Sequence, residues 1–243
     1  MARPFRDPGY TGAIRGKRIS VNTTVGRNEG PKIKSSPAWF YFFALKEDEM
    51  GDVLAKGVNF LYSKRFIVSE YGAENWDKVF DALPKDSQEV WASGILASNS
   101  YPFAAFKEMM NALTKELGSP KRDQLARIYE YIADQSLNKV YKIFFRMANP
   151  SFVIKNYPKL WSNFFNTGTV EVQLAEKGHA VLKFVLPEIF LDWLPPACLG
   201  YSKKAVEMSG GKDLSMKERS TNRVGEDLWE IVFELNWNEN TSS

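Results

Sequence analysis

The hydrophobic pattern of this chain changes its period near residue 170, and that change limits the folds the chain can adopt. Before this point apolar residues recur every three or four positions, as in amphipathic helices. After it they alternate with polar residues, as in half-buried strands. The clearest alternation lies near the C-terminal end, where one face is formed by Trp229, Ile231, Phe233, Leu235 and Trp237. The sequence therefore predicts helices first and antiparallel strands afterwards.

The helical part is divided by residues that end helices. The period predicts segments at about 51–71, 72–83, 86–97, 103–117 and 125–148, and a further one around Trp161 and Phe164. Gly72, Pro84 and the run Gly118-Ser119-Pro120 separate these segments, because Gly favours helix ends and Pro cannot continue a helix.

The strand-forming part contains two hairpins. Residues 170–174 and 180–186 alternate on either side of a turn at 176–178, and a second hairpin starts at Leu214 and turns near 224–227. Between the hairpins a helix is expected at roughly 188–208, kinked by Pro195-Pro196. We therefore predict an α+β fold, in which an N-terminal helical bundle packs on a small antiparallel sheet built from two β-hairpins separated by a helix, ββαββ.

Charge is distributed unevenly along the chain. Residues 1–36 hold eight Lys and Arg against two acidic residues, a balance of +6, whereas the remainder balances to −3. This basic segment is either a flexible or loosely docked extension or an arm that touches an acidic membrane or nucleic acid, and its dispersed charges favour the first interpretation. We predict a basic N-terminal extension at 1–50, one α+β ligand-binding-like domain at 51–238 and a tail at 239–243.

Reactive side chains are scarce, which excludes several classes of site. With one His (His179) and one Cys (Cys198), the sequence excludes or nearly excludes a His/Cys zinc site, a Cys–His nucleophile pair and an intrachain disulfide. His179 is expected at an exposed turn, Cys198 as a small buried hydrophobe, and Glu230 and Glu234 on a solvated strand face. No glycine-rich phosphate loop or GxSxG motif occurs. The sequence therefore predicts no catalytic residue, no metal site and no cofactor.

The compartment is predicted from what the sequence lacks. We find no signal-peptide pattern and no run that approaches the ~20 apolar residues of a membrane span. With one Cys in addition, we expect a cytoplasmic protein.

Aromatic residues are in surplus, at 14% of the chain, and many fall on the inward faces of the expected helices. Such stripes indicate either a filled core or the lining of an apolar pocket between helices and sheet. The pocket interpretation assigns ligand binding to six residues, Phe103, Phe106, Tyr141, Phe144, Trp161 and Phe165.

Four stretches carry a resemblance to known families. They are LAKGVNFLYSKRFIVSEYGAENWDKVF, NTGTVEVQLAEKGHAVLKF, IFLDWLPPACLGYSKKA and GEDLWEIVFELNW. Over residues 53–237 the chain resembles an uncharacterised bacterial family described as Myxococcus paralogues, and the broader 4-vinyl-reductase-domain group. The resemblance implies an α+β ligand-binding fold shared with haem–nitric-oxide sensors and with subunits of the Golgi transport-particle complex. Members of that group sense a small molecule or serve as dimeric scaffolds.

Two departures limit what the resemblance implies. The chain lacks the helical proximal His and the Tyr-x-Ser-x-Arg motif of a haem sensor. Leu228 and Trp229 stand where a cysteine of the vinyl-reductase group would be expected. Haem and metal sensing are therefore disfavoured.

Two functions of different classes stay open. The first is a non-enzymatic cytoplasmic sensory or binding module, which holds an apolar small molecule in an aromatic-lined pocket and signals to a partner. The second is a homodimeric scaffold that acts through protein–protein contact without a ligand. An enzyme is the least favoured class. The expected partners are an apolar small molecule and a second copy or another protein. Nucleic acid is not expected, and the basic N-terminal arm is a candidate for contact with an acidic surface.

Overall fold

The fold is given by a computed structural model, which describes residues 52–118, 120–147 and 149–239, with the backbone alone for residues 138–147. The predicted extension at 1–50 and the last four residues lie outside the described residues. The division into extension, domain and tail therefore stays a prediction. Glu239, assigned to the tail from the sequence, is the last residue of a strand.

The first two thirds of the described chain is mostly helical. A short strand β1 (Leu54–Lys56) leads into helices α1 (Gly57–Tyr71), α2 (Ala73–Asp81) and α3 (Lys85–Ala92). A second short strand, β2 (Ser100–Pro102), is followed by α4 (Phe103–Leu117), α5 (Lys121–Met147), α6 (Pro150–Lys155) and α7 (Tyr157–Phe164).

The ribbon formed by β1 and β2 differs from the sequence prediction, which started a helix at about residue 51. Leu54 pairs with Pro102 and Lys56 with Ser100, in antiparallel register. The backbone of this ribbon is held by distant groups, since Leu54 N donates to Asn166 Oδ1 at 2.8 Å. Helix α1 begins only at Gly57, where a Cβ would lie 2.1 Å from the backbone oxygen of Leu96. Three-residue strands are too short to show a period, and so the pattern missed them.

The remaining strands form one antiparallel sheet. They are β3 (Thr169–Glu176), β4 (His179–Pro187), β5 (Gly211–Arg223) and β6 (Leu228–Glu239), and their order in the sheet is β3-β4-β6-β5. Gly178 makes the first hairpin turn with φ 76°, a conformation that favours glycine. The predicted α+β class is confirmed.

The inner face of the sheet is apolar, as the alternation predicted. On β4 it is formed by Ala180, Leu182, Phe184 and Leu186, and on β6 by Ile231, Phe233, Leu235 and Trp237, all of them buried. On β6, Trp229 is only half-buried near the strand end. The two central strands therefore supply the floor of the core, as expected for a sheet with one face packed and one face polar.

Helix α8 (Leu194–Met208) crosses between the two hairpins. The sequence predicted a kinked helix from about 188, but residues 188–193 form a separate connector, which starts with a single 3₁₀ turn at Glu188–Phe190. Pro195 and Pro196 lie in the first turn of α8, where a missing N–H removes no helical hydrogen bond. The prolines therefore begin the helix instead of kinking it.

Candidate functional site

Four of the six predicted ligand-binding residues lie together in one aromatic cluster. Phe103 and Phe106 of α4 are fully buried, and their stacked rings are 6.0 Å apart between centroids. Trp161 and Phe165, from α7 and the residue after it, are 4.6 Å apart, and Phe165 meets Phe103 edge to face at 5.7 Å. Tyr141 and Phe144 belong to α5, but their side chains lie outside the described ones.

The centre of this cluster is formed by two residues that the sequence did not single out. Phe190 stacks on Phe103 with centroids 4.6 Å apart. Trp193 meets Phe103 at 5.2 Å and Phe165 at 5.1 Å, in both cases edge to face. Both residues come from the connector 188–193. Phe190 and Trp193 are three positions apart in the sequence, which is compatible with the helix predicted there. Their spacing therefore did not indicate that a turn would place both side chains in the core.

A small cavity lies beside the cluster, between α5, α7 and α8. Its volume is about 30 Å³, which is the space of a single water in the liquid, and a fifth of the ~150 Å³ that holds benzene. The described residues that line it are almost all apolar or aromatic: Tyr129, Tyr157, Leu160, Trp161, Phe164, Phe165, Trp193, Leu194, Ala197, Cys198 and Tyr201. Leu160 and Phe164 are half-buried, so the outer wall of the cavity reaches the surface along one side of α7. Of the six predicted residues, Trp161 and Phe165 line this cavity and Phe103 and Phe106 do not.

One polar cluster lies in the wall formed by α7 and α8. Tyr157 donates its hydroxyl hydrogen toward Cys198 Sγ at 3.5 Å, and Ser202 donates to the Tyr157 oxygen at 3.3 Å. Burial raises the pKa of the Cys198 thiol to about 11, although the hydrogen bonds from Tyr157 and Ser202 act in the opposite direction. Burial, together with the neighbouring Cys198, raises the pKa of Tyr157 well above its usual value. At neutral pH all three side chains are therefore uncharged.

The two tryptophans in the wall differ in how their indole N–H groups are used. Trp161 Nε1 donates to the backbone oxygen of Thr167 at 2.9 Å. Trp193 is buried, and its indole interacts with the hydroxyl of Tyr129. Tyr129 lies edge to face against Trp193 at 5.1 Å, but its hydroxyl donates to Asn59 Oδ1 at 3.0 Å. Burial raises the pKa of Tyr129 well above its usual value, and a hydrogen bond from the Trp193 indole offsets part of that rise.

The connector that carries Phe190 and Trp193 is anchored by charge. Asp192 pairs with Lys107 of α4 at 2.6 Å and with Lys121 of α5 at 2.8 Å. Lys107 also donates to the backbone oxygen of Ile189 at 2.8 Å. Partial burial of Asp192 opposes its ionisation, but the hydrogen bonds and charges of the two lysines outweigh burial and lower its pKa. The connector is thus held against both α4 and α5 by one carboxylate.

His179 lies far from this arrangement in the fold. It begins β4 on the outer face of the sheet, where its Nε2 is 3.1 Å from Glu234 Oε1 of β6. Its side chain is 26% exposed, so it is less accessible than the sequence predicted for a turn histidine. Glu234 also binds Arg219 of β5, which makes this face a network of paired charges instead of the purely solvated one expected.

Two classes of site are not found in the described part of the chain. Across residues 52–118, 120–147 and 149–239, no group of three or more His, Cys, Asp or Glu side chains is arranged to hold a metal ion. None of the helices in these ranges has both the length and the apolar character needed to cross a membrane.

Comparisons with known proteins identify the fold. No family model and no curated protein matches the sequence. Among solved structures, the Fe(II) unliganded H-NOX protein from K. algicida has 17% identity and a TM-score of 0.58, with 77% of this chain and 99% of that chain covered. An H-NOX protein variant from S. oneidensis has 13% identity and a TM-score of 0.56, with 77% and 100% covered. An oxygen-binding H-NOX domain related to soluble guanylate cyclases has 9% identity and a TM-score of 0.57, with 75% and 94% covered.

At these identities the likeness shows the fold alone. It supports the broader fold group that the sequence resemblance implied, which includes the haem–nitric-oxide sensors. The resemblance to the Myxococcus-paralogue family stays an expectation, because no family model matches.

Proposed function

We propose that this domain is a non-enzymatic sensory or binding module, which holds a small apolar molecule in the cavity between α5, α7 and α8 and signals to a protein partner. The observation that carries the proposal is an almost entirely apolar, aromatic-lined cavity inside a fold with ligand-binding neighbours, one of which is an oxygen-binding H-NOX domain. In the finer arrangement we propose, the helical bundle packs on the ββαββ sheet and encloses the site.

The described residues of this chain do not fit a haem, the group studied in two of the neighbouring structures. The interior is filled where Phe103, Phe190 and Trp193 pack together. A porphyrin is far larger than benzene, which itself needs about five times the volume of this cavity.

Among the described residues of the cavity wall, none is suited to axial ligation of a haem iron either. The one His of the chain, His179, pairs with Glu234 on the outer face of the sheet. Cys198 and Tyr157 line the cavity, but such residues bind haem iron as thiolate and phenolate. Burial raises the pKa of both, which keeps them protonated at neutral pH. A ligand would therefore contact the aromatic wall directly.

The described lining of the cavity also offers no pair of groups suited to an enzyme site. A nucleophile needs a neighbouring base, and the neighbours of Cys198 are the hydroxyls of Tyr157 and Ser202. Neither hydroxyl takes a proton at neutral pH, and the thiol itself stays protonated. These observations support binding as the role of the cavity.

A route from the cavity to the surface is provided by α8. Leu194, Ala197 and Cys198 contact the cavity, while Lys203 and Lys204 on the same helix form salt bridges to α5. An occupant that moves α8 would therefore change its contacts with α5. Such a helix shift is a common way for a packed protein to transmit ligand binding.

Xenon is a suitable probe of the cavity, because it is apolar, monatomic and visible in crystals. We expect crystals pressurised with xenon to show one atom beside Trp161 and Ala197. Ala197→Val adds two methyl groups to the wall and should abolish this binding. Ala205→Val is the matched control, because Ala205 is buried in the same helix and does not line the cavity.

Both substitutions overpack a buried helix face, at a typical cost of about 1–3 kcal/mol. A similar loss of stability in the two variants would show that fold damage does not explain the loss of xenon binding in Ala197→Val. Absence of xenon from the wild-type cavity, or equal binding in both variants, would contradict the proposal.

A scaffold is the second candidate, and one observation favours it. Phe152 of α6 is 55% exposed and lies in a surface groove with Ala175 of the edge strand β3. Exposed edge strands beside apolar side chains are sites of chain association. Light scattering at high protein concentration should then show a dimer that Phe152→Ser converts to a monomer. A wild-type monomer would count against this function.

A further inference from the structure

The surface groove beside α6 holds the exposed ring of Phe152 and has room for a second ring. Its volume is about 420 Å³, nearly three times the ~150 Å³ that holds benzene. An aromatic side chain from another chain can therefore enter the groove and cover Phe152. Exposed apolar surface with a polar rim is typical of a site of protein association.

Charged side chains surround this ring in equal numbers of each sign. The groove is lined by two basic and two acidic residues, Lys155, Lys177, Glu176 and Glu239. Neither lysine forms a salt bridge with another described residue. A strongly acidic or strongly basic partner would meet like charges in this groove, whereas a second copy of the same surface offers both signs. The charge pattern therefore favours a second copy as the partner.

The order of these groups along α6 suits a two-fold arrangement. Gly211 pairs with Glu239 in the sheet and lies against Pro150 at the start of α6, since a Cβ on this glycine would be 3.0 Å from the proline Cγ. Lys155 ends α6, about 7.5 Å along the helix axis from its first residue. Phe152 therefore lies between an acidic end and a basic end of the groove.

We propose that two copies of this chain associate through the groove with their α6 helices antiparallel, so that Lys155 of each copy pairs with Glu239 of the other. The two Phe152 rings then meet near the two-fold axis. Such an interface is isologous, because the same surface faces itself. This inference rests on the second function proposed above, the dimeric scaffold, and specifies the geometry of its interface. It does not depend on the cavity.

Charge reversal tests the pairing of Lys155 with Glu239. Exposed ion pairs are individually weak, but a symmetric dimer contains each pair twice. Lys155→Glu and Glu239→Lys should each raise the dimer dissociation constant roughly tenfold in sedimentation velocity. The chain with both substitutions regains both pairs and the original net charge, and should dimerise like the wild type. Lys159→Glu is the matched control, because Lys159 is exposed on α7 and does not line the groove.

A mixture of the two single variants gives an independent test. Each chain then carries two charges of one sign at the paired positions, and the other chain carries two charges of the opposite sign. With one variant labelled with ¹⁵N, native mass spectrometry should show heterodimers in excess over either homodimer. General damage to the surface would weaken both kinds of dimer and would not produce this preference.

The outcomes separate this inference from the functions proposed above. A wild-type monomer overturns both the scaffold and this inference, and leaves the cavity proposal standing. A dimer that Phe152→Ser dissociates, but that neither charge reversal weakens, overturns the pairing and leaves the scaffold standing. Failure of the doubly substituted chain to regain dimerisation, or a mixture without excess heterodimers, also overturns the pairing.

A milder variant keeps the test decisive if Glu239→Lys does not fold. Glu239→Gln keeps the size of the side chain and removes its charge, so it should still raise the dissociation constant, by a smaller factor than charge reversal. An unchanged dissociation constant in Glu239→Gln and in Lys155→Glu overturns the pairing.

Discussion

Helices α5 and α8 approach each other closely at Gly200, and this contact yields a quantitative prediction. A Cβ at this position of α8 would lie 2.0 Å from the backbone oxygen of Ala126 in α5, and 2.8 Å from its carbonyl carbon. Real Cβ atoms essentially never come within 3.0 Å of another heavy atom. In Gly200→Ala the two helices must therefore separate by about 1 Å, because a backbone obstacle cannot rotate away.

The free-energy cost of separating the two helices is partly offset by the higher helix propensity of alanine. Overpacking of a tight contact costs about 1–3 kcal/mol, and a backbone obstacle places this site near the upper limit. Alanine in a helix interior is about 1 kcal/mol more favourable than glycine. We expect the free energy of unfolding to fall by about 2 kcal/mol, which lowers Tm by roughly 4–8 °C for a domain of this size.

Thermal unfolding followed by circular dichroism measures this change. The control is Glu207→Ala, which introduces the same residue at an exposed position of the same helix and should stay within about 0.5 kcal/mol of the wild type. A Tm for Gly200→Ala equal to or above that of the wild type would refute the close packing of α5 against α8. Because α8 also lines the cavity, the same variant should change xenon occupancy.

Three further predictions follow from single residues. Asp192→Asn should lower the free energy of unfolding at neutral pH by under about 1 kcal/mol, because its carboxylate is half-exposed. Since the lysines Lys107 and Lys121 lower the pKa of Asp192, the stability that its carboxylate contributes is present above the usual Asp range and is lost as pH falls through the lowered value. Urea unfolding should therefore show a smaller difference between Asp192→Asn and the wild type at pH 3 than at pH 7. The Cys198 thiol, with its pKa raised to about 11, should react with Ellman's reagent only when the domain unfolds, and rapid reaction of the folded protein at pH 8 would contradict its burial. Phe190→Ala should cost about 3–5 kcal/mol in urea unfolding, whereas a loss below 1 kcal/mol would show that this ring is not central to the core.

The elements that the sequence predicted well are those with long, uninterrupted periods. Helix α4 was predicted at 103–117 and is found at Phe103–Leu117, and the alternating faces of β6 agree with its burial. In both elements one side is buried and the other is more exposed, so apolar residues recur with the period of the helix or strand. The hydrophobic pattern therefore indicates the element directly. The β1–β2 ribbon forms instead because two segments that are distant in sequence pair with each other, and such pairing leaves no hydrophobic pattern in either segment.

The candidate site was only half predictable for a related reason. Trp161 was found because it belongs to a helical stripe that contains Phe165. Phe190 and Trp193 were missed because the expected helix at 188–208 concealed a turn, and only the turn brings both rings beside Phe103. Whether aromatic stripes fill a core or line a cavity depends on distances of a few ångströms between side chains. The spacing of apolar residues in the sequence gives no information on such distances.

The connector 188–193 explains how one short segment can both close the interior and report on it. Phe190 and Trp193 fill the space beside Phe103, and Asp192 between them is held by lysines from α4 and α5. Trp193 also caps α8, because its backbone oxygen accepts from Ala197 N at 3.2 Å. A molecule in the proposed cavity would therefore contact the residue at which the anchored connector ends and α8 begins. Because the Asp192 salt bridges hold the connector to α4 and α5, we expect a displacement of Trp193 to move the start of α8 as well.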